Sequence, residues 1–364
     1  MRFALLTAEP ADVARGSGTA VAVARLRDAL TAHGVSAPVL RPGGHLPQTL
    51  ARARLHHQIA RSAFAGADAV LGVNGDGWQL AERFEIPYVA LIKAFYAGAA
   101  MYERGATRGL LTLHARWEAE GARRADAVVV PSRFAADAVR ERYGVDPESL
   151  RVIPEAFDVT AWQAMLPIRS RADARVLCVA HLYPRKRVID LLDAWPRVRE
   201  THRYARLDIV GGGPELRRLA RRAQGLAGCY LHGHVGYPHI LEFYARARVF
   251  CLPSAQETFG YAAVEAMASG LPLVIADAGA LPEVCDGAVA ALVPVGDPDA
   301  IARALTHALD DGVAVRAAAV NPRIARAFSP DAVAGQMIDA VAAARRRAQR
   351  RAGGSVLRRS GSPR

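Results

Sequence analysis

The sequence predicts an α/β fold in two halves, each a parallel sheet flanked by helices. Three observations carry this. The chain has 364 residues, more than a single hydrophobic core comfortably organises, so two domains are the default. Hydrophobic residues make up 51% of it, enough for two cores and too many for disorder. Short apolar runs alternate with longer helical patterns, and that alternation implies parallel strands.

The elements follow in order. Phe3 to Thr7 is an apolar run that reads as a first strand. A loop with Gly16-Ser17-Gly18-Thr19 comes next, then a helix from about Ala20 to His33 that Gly34 stops. Val23, Leu26 and Leu30 share its apolar face. Strands are expected at Ala69–Val73, Tyr88–Ile92, Ala127–Val130 and Leu150–Ile153, with helices between them. Thr160 to Asp173 contains Pro167 and several charges and reads as a linker. The second half begins near Arg175 with Val176-Leu177-Cys178-Val179-Ala180. A helix is expected at Val188–Arg199, and strands at Arg206–Val210, Val249–Leu252 and Leu273–Ile275. Ser329-Pro330-Asp331 reads as a helix start, with Val333, Met337, Ile338 and Val341 as its apolar face. The expected domains are therefore 1–165 with a returning helix at about 329–347, then 166–328, then a basic disordered tail at 348–364.

The net charge of +12 suggests nucleic acid until its position is considered. Eight arginines and no acid lie beyond Ala340. Without them, 39 basic and 35 acidic residues remain, a net of +4. No nucleic-acid partner is expected; peripheral contact of the tail with an anionic membrane is the alternative to plain solvation. No apolar run reaches bilayer length, and the start of the chain is too briefly apolar for a signal peptide, so a cytoplasmic location is expected. Cys178, Cys229, Cys251 and Cys285 form no close pair and read as reduced thiols.

The most informative segment is Glu257-Thr258-Phe259-Gly260-Tyr261-Ala262-Ala263-Val264-Glu265. It joins the strand Val249–Leu252 to a helix that ends at Gly270, with Pro272 beyond. Ligands of open α/β sheets bind at such strand-to-helix turns, and a helix N-terminus suits a phosphate. A carboxylate just before the helix, as Glu257 is, can accept hydrogen bonds from ligand hydroxyls, and one two turns in on the same side, as Glu265 is, can hold a diol. The bland reading makes Glu257 a helix cap and Glu265 a solvated charge.

The two carboxylates eight positions apart resemble the E-x7-E signature of retaining glycosyltransferases of family 4 (glycosyl transferases group 1). The resemblance runs from residue 1 to about 345. It implies the GT-B fold, two facing Rossmann-like domains with a cleft between them, and transfer of a sugar from a nucleotide diphosphate with retained configuration and no metal. His181-Leu182-Tyr183-Pro184-Arg185-Lys186-Arg187 is similar to the family's G-R-L-x-x-x-K-G loop, where an Arg and a Lys clamp the diphosphate. Lys186 matches the Lys; His181 stands for the Arg and Arg187 for the final Gly, so the second cation falls to Arg185 or Arg187. The resemblance places Gly211-Gly212-Gly213 near the nucleotide and His234-Val235 near the base. The donor contacts it implies are Gly16, Gly18, His181, Arg185, Lys186, Gly212, Gly213, His234, Val235, Glu257, Thr258, Phe259, Gly260 and Glu265. A metal pair at His232 and His234 lacks a third ligand.

The first half departs from the family. Lys93 stands where a histidine often lies near the donor sugar, and Glu155-Ala156-Phe157-Asp158 stands where N-G-x-D is usual. Pro131-Ser132-Arg133-Phe134 matches well. Glu257, Lys186 and Lys93 are the candidate catalytic residues, and Asn74, Asp76, Trp78 and Arg133 the candidate acceptor cleft. The expected acceptor is a glycan, a lipid-linked glycan or a small metabolite. Two rival readings stand beside this one: a sugar-nucleotide epimerase of the same architecture or an oxidoreductase with a Rossmann site, and a nucleic-acid-binding protein using its arginine tail. The Gly16-Ser17-Gly18-Thr19 loop lacks the dinucleotide pattern because position 21 is Val.

Overall fold

The structure, a computed structural model, describes residues 1–8, 18–42, 48–168, 173–236 and 238–359, with the side chains of 48, 56–58 and 352–359 left aside. The chain forms two compact units, Met1–Ala156 with Pro330–Arg364, and Phe157–Ser329. Unit 1 runs β1 (Phe3–Leu6), α1 (Gly18–Ala32), β2 (Val39–Leu40), α2 (Gln48–Gln58), β3 (Ala69–Val73), α3 (Trp78–Phe84), β4 (Tyr88–Leu91), α4 (Tyr96–Ala100), α5 (Gly105–Arg124), β5 (Ala127–Val130), α6 (Arg133–Tyr143) and β6 (Leu150–Val152). Unit 2 runs α7 (Val159–Met165), β7 (Arg175–Val179), α8 (Val188–Thr201), β8 (Arg206–Val210), α9 (Leu216–Ala223), β9 (Cys229–Gly233), α10 (Ile240–Arg246), β10 (Val249–Leu252), α11 (Tyr261–Ala268), β11 (Leu273–Ala276), α12 (Leu281–Val284), β12 (Ala290–Val293), α13 (Pro298–Ala308) and α14 (Asp311–Ala325). The last helix, α15 (Pro330–Arg359), returns to unit 1.

Each unit holds a six-stranded parallel sheet, in the order β2-β1-β3-β4-β5-β6 and β12-β11-β10-β7-β8-β9. The period of two along a strand sorts the core of unit 1. Phe3, Leu5, Val89 and Leu91 face α1 and α15, while Ala4, Leu6, Tyr88 and Ala90 face the opposite layer. Val333, Ala334, Met337, Val341 and Ala344 of α15 belong to the first of these layers. Cys178 and Cys251 are buried in unit 2, and burial raises both thiols above the usual range. No helix among the described residues is long and apolar enough to cross a membrane.

The division falls at Ala156/Phe157, nine residues before the expected boundary. The segment read as a linker opens with a helix instead. Asp158 Oδ1 accepts from Ala161 N at 2.9 Å and starts α7, and Trp162 Nε1 then donates to Ser269 Oγ of unit 2 at 2.9 Å. The stretch expected to be disordered from 348 is helical as far as Arg359, and 360–364 lie outside the described residues. Three tail arginines are held by carboxylates of unit 1: Arg345 by Asp68, Arg347 by Asp146 and Arg351 by Asp126.

Candidate functional site

In an open parallel sheet, ligands bind beyond the carboxyl ends of the strands where the order reverses. In unit 2 that point lies between β7, which continues to β8, and β10, which continues to β11 on the other side. The loop after β7 carries His181 to Arg187, and the loop after β10 carries Glu257 to Gly260. The backbone joins the two loops, since Ala255 N donates to Arg185 O at 2.8 Å. Lys186 Nζ forms an ion pair with Glu257 Oε1, both side chains mostly buried. Burial lowers the Lys186 ammonium pKa; Glu257 opposes that shift, and the charge of Arg185 adds to it.

Glycines permit this close approach. Gly279 has φ +62°, and a Cβ there would lie 2.8 Å from both N and O of Glu257, whose carbonyl accepts from Ala280 N at 3.0 Å. Gly211 has φ +147°, and its Cβ would meet Ala180 O at 1.8 Å. Gly212 O accepts from Leu182 N at 2.8 Å, which brings the triple-glycine loop against the β7 loop. A Cβ on Gly212 would reach His234 Cβ at 3.6 Å, so the loops after β7, β8 and β9 converge.

The remaining donor candidates take distinct places. Gly260 caps α11 at φ +94°, and its carbonyl accepts from Ala263 N at 2.9 Å and from Val264 N at 3.3 Å. Phe259 is buried against Tyr261 and Phe328, with centroids at 5.3 and 5.1 Å, so it packs the loop. Thr258 and Val235 are half-buried. Glu265 is not a solvated charge: it is buried, and its Oε2 accepts from Tyr244 Oη at 2.9 Å. Arg187 is bound twice by Asp190, at 2.5 and 2.8 Å. Arg185 has no ion pair among the described residues, and its guanidinium lies 4.8 Å from the Tyr183 ring centroid, leaving it as the second cation of the loop. His181 lies 6.3 Å from the same ring. His232 is held by Asp208 Oδ1 at 2.7 Å, and no group of three metal-ligating side chains occurs among the described residues. Gly16 lies outside the described residues, and Gly18 begins α1.

In unit 1 the order reverses between β1 and β3, and the side chains there serve the protein. Asn74 is buried and its Oδ1 accepts from Lys93 N at 2.8 Å and Ala94 N at 3.0 Å. Asp76 is buried, with Arg52 Nε at 2.6 Å and Ala8 N at 2.8 Å. The two hold the turn, which corrects the expectation that they line an acceptor cleft. Trp78 is half-buried under the Arg124 guanidinium at 4.3 Å. Arg133 is exposed after Ser132, whose Oγ caps α6 by accepting from Ala135 N at 3.1 Å. Lys93 is buried and paired with Glu155 at 2.7 Å, so its charge is already met within the unit. The two departures noted in the first half are thus each other's partners.

Sequence reasoning missed Arg52, Tyr244 and the buried Glu118. Their periodicity signals only helix; nothing local marks their partners. Glu118 accepts from Tyr143 Oη and from Tyr96 N at 3.0 Å. Burial raises its carboxyl to about 7, with those hydrogen bonds opposing the shift. A carboxyl raised in the folded state gives stability below its unfolded value near 4.5, lost as pH rises through 7. Glu118→Gln stays neutral throughout. Its Tm should match the parent's near pH 5 and exceed it above pH 8, by the equivalent of about 3 kcal/mol. Thermal melts across that range check this; an offset independent of pH would refute it.

The family model described as Glycosyltransferase Family 4 matches residues 16–161, and that described as Glycosyl transferases group 1 matches residues 173–311. A Mycobacterium tuberculosis glycogen synthase is 31% identical over 275 residues, covering 73% of this chain and 66% of that protein. A Streptomyces bingchenggensis D-inositol 3-phosphate glycosyltransferase is 30% identical over 301 residues, covering 74% and 64%. This chain thus spans just under two thirds of the length of these relatives. Among solved structures, sucrose-phosphate synthase from Thermosynechococcus elongatus aligns with a TM-score of 0.77 at 21% identity, over 93% of this chain and 97% of that one. Anabaena HepE in complex with UDP-glucose aligns at 0.72 and 18%, over 94% and 99%. At those identities the likeness is one of fold.

Proposed function

Because the chain belongs to the group 1 (family 4) glycosyltransferases and has their GT-B fold, we propose that it transfers a hexose from a nucleoside-diphosphate sugar to an acceptor hydroxyl. The observation that carries this is the Lys186–Glu257 pair at the reversal point of the unit 2 sheet. A buried cation beside a helix N-terminus is what a departing diphosphate needs. Lys186 and Arg185 neutralise it, helped by the positive end of α11. On donor binding Lys186 turns from Glu257 toward phosphate, and the freed carboxylate takes sugar hydroxyls. Glu265, steadied by Tyr244, receives the ribose diol.

With these cations in place the reaction proceeds without a metal. No carboxylate is assigned as a nucleophile: the departing phosphate oxygen takes the acceptor proton as the new glycosidic bond forms on the face it leaves, which retains the configuration. The acceptor is a glycan, a lipid-linked glycan or a small metabolite. Solved neighbours hold UDP and UDP-glucose, so a uridine donor is the first to test.

A panel of nucleotide sugars is the direct experiment, read by thermal shift and then by transfer or slow hydrolysis. A donor at a hundred times its Kd should add about 2.7 kcal/mol of stability. The shift and the turnover should survive excess EDTA. Glu265→Gln should weaken donor binding by about tenfold or more, a charge-assisted bond being worth roughly 1.5–3 kcal/mol. Failure of every nucleotide sugar to stabilise the protein would sink the reading; activity restored only by Mg²⁺ or Mn²⁺ would sink its metal-free form.

A further inference from the structure

We propose that Arg187 is a positioning residue for sugar transfer: its pair with Asp190 holds the loop after β7 in the backbone shape that keeps Lys186 on Glu257. The proposal rests on the donor chemistry argued above, and it adds a residue that touches neither donor nor acceptor. Arg187 has φ +50° and ψ 32°, in the left-handed region. There it ends the short helical turn Pro184–Lys186 and caps the start of α8. A Cβ disfavours that region, which a glycine would enter freely. Among the described non-glycine residues of unit 2, Arg187 alone has a positive φ. Such a conformation persists where the surroundings over-determine it.

The Arg187 side chain supplies the hold. Its Nε and Nη2 donate to the two carboxylate oxygens of Asp190, at 2.5 and 2.8 Å. Asp190 is 4% exposed and lies in the first turn of α8, so the fork grips a fixed point. The guanidinium also lies against Gly296, in the turn after β12: a Cβ there would stand 3.0 Å from Arg187 Nη2. Asp297 fixes that turn, its Oδ1 accepting from Ala300 N of α13 at 2.8 Å. One arginine thus staples the loop after β7 to α8 and to the turn before α13. On the other side of Lys186, Arg185 O accepts from Ala255 N at 2.8 Å. Lys186 sits between these two anchors, one residue from each. Burial disfavours its ammonium, so a loosened loop would let the side chain swing toward water.

The chain has two lysines, Lys93 and Lys186, and both are held in ion pairs. Acylation of the native full chain with acetic anhydride, read by peptide mass spectrometry, therefore follows Lys186 against an internal reference in the other unit. In Arg187→Met and in Asp190→Asn, Lys186 should react at least about fivefold faster while Lys93 keeps its parental rate, which also shows that the fold is intact. Arg187→Gly takes the positive φ freely and should expose Lys186 equally; it serves if Arg187→Met fails to fold. With donor saturating, both single variants should lose about tenfold or more in kcat, while the melting shift that donor induces stays near parental. The double variant should be no worse than either single, because both remove one pair. Arg187→Lys keeps the charge without the fork and should behave like Arg187→Met. A guanidinium that met phosphate directly would give the opposite pattern, since Asp190→Asn would free it and tighten donor binding. Parental acylation of Lys186 in the variants, parental kcat in both singles, or tighter donor binding by Asp190→Asn would each overturn the proposal. An inactive parent would count against the proposed function instead, and the acylation rates would still decide the staple.

Discussion

Lys186→Ala should nearly eliminate sugar transfer, lowering kcat by about 10²–10³ while the nucleotide still binds weakly. Lys186 meets Glu257 in a mostly buried pair, and it is the one lysine among the loops that converge at the unit 2 reversal point. Removing it takes away the charge that would follow the leaving diphosphate. It also strands Glu257 in a site with little water. Breaking a buried pair on one side typically costs about 3–5 kcal/mol, so the variant should melt lower as well. Lys186→Met with Glu257→Gln separates the two effects, because the double variant has no stranded charge. It should regain much of the melting temperature and none of the turnover. Parent-like kcat in the single variant, with donor saturating, would remove Lys186 from the chemistry.

Truncation after Phe328 should leave unit 1 unable to hold its fold. Val333, Met337 and Val341 are buried with α15 in the core layer that includes Phe3, Leu5, Val89 and Leu91. Burying one such side chain is worth about 1.5–3 kcal/mol, so these three alone contribute roughly 5–9 kcal/mol. That is the size of a domain's entire stability, about 5–15 kcal/mol. Loss of cooperative melting, aggregation and dye binding to exposed apolar surface are the expected readouts. Truncation after Arg351 keeps every one of those contacts and the Arg351–Asp126 pair, and should melt like the full chain. A well-folded, active product ending at Phe328 would contradict the role given to α15.

Much of the fold was legible because apolar runs such as Val249–Leu252 and Ala127–Val130 are bounded by glycine, proline and charge, and a buried parallel strand has that pattern. The short edge strands β2 and β12 carried no such contrast. Glu257, Glu265 and Lys186 were legible by type and spacing. Their geometry was not: Lys186 and Glu257 are 71 residues apart in sequence, and only strand order brings their loops together. Asn74 and Asp76 looked like cleft residues because polar, glycine-rich turns often are. The partners that turn them inward, Lys93 N and Arg52, lie 19 and 24 positions away. Lys93 and Glu155 looked like two separate oddities until 2.7 Å made them one pair.

The interrupted layout of unit 1 has a consequence for biosynthesis. Its first 156 residues leave the ribosome long before Pro330, where the helix that completes their core begins. At ~5–20 residues per second, the stretch from Phe157 to Ser329 occupies roughly ten to thirty seconds of translation. Throughout that interval the nascent amino-terminal sheet exposes the face that α15 later covers, while the younger, uninterrupted unit can already close. The unit that starts first is therefore the one whose sequence is completed last. The older half is where a ribosome-associated chaperone would meet apolar surface still waiting for its cover.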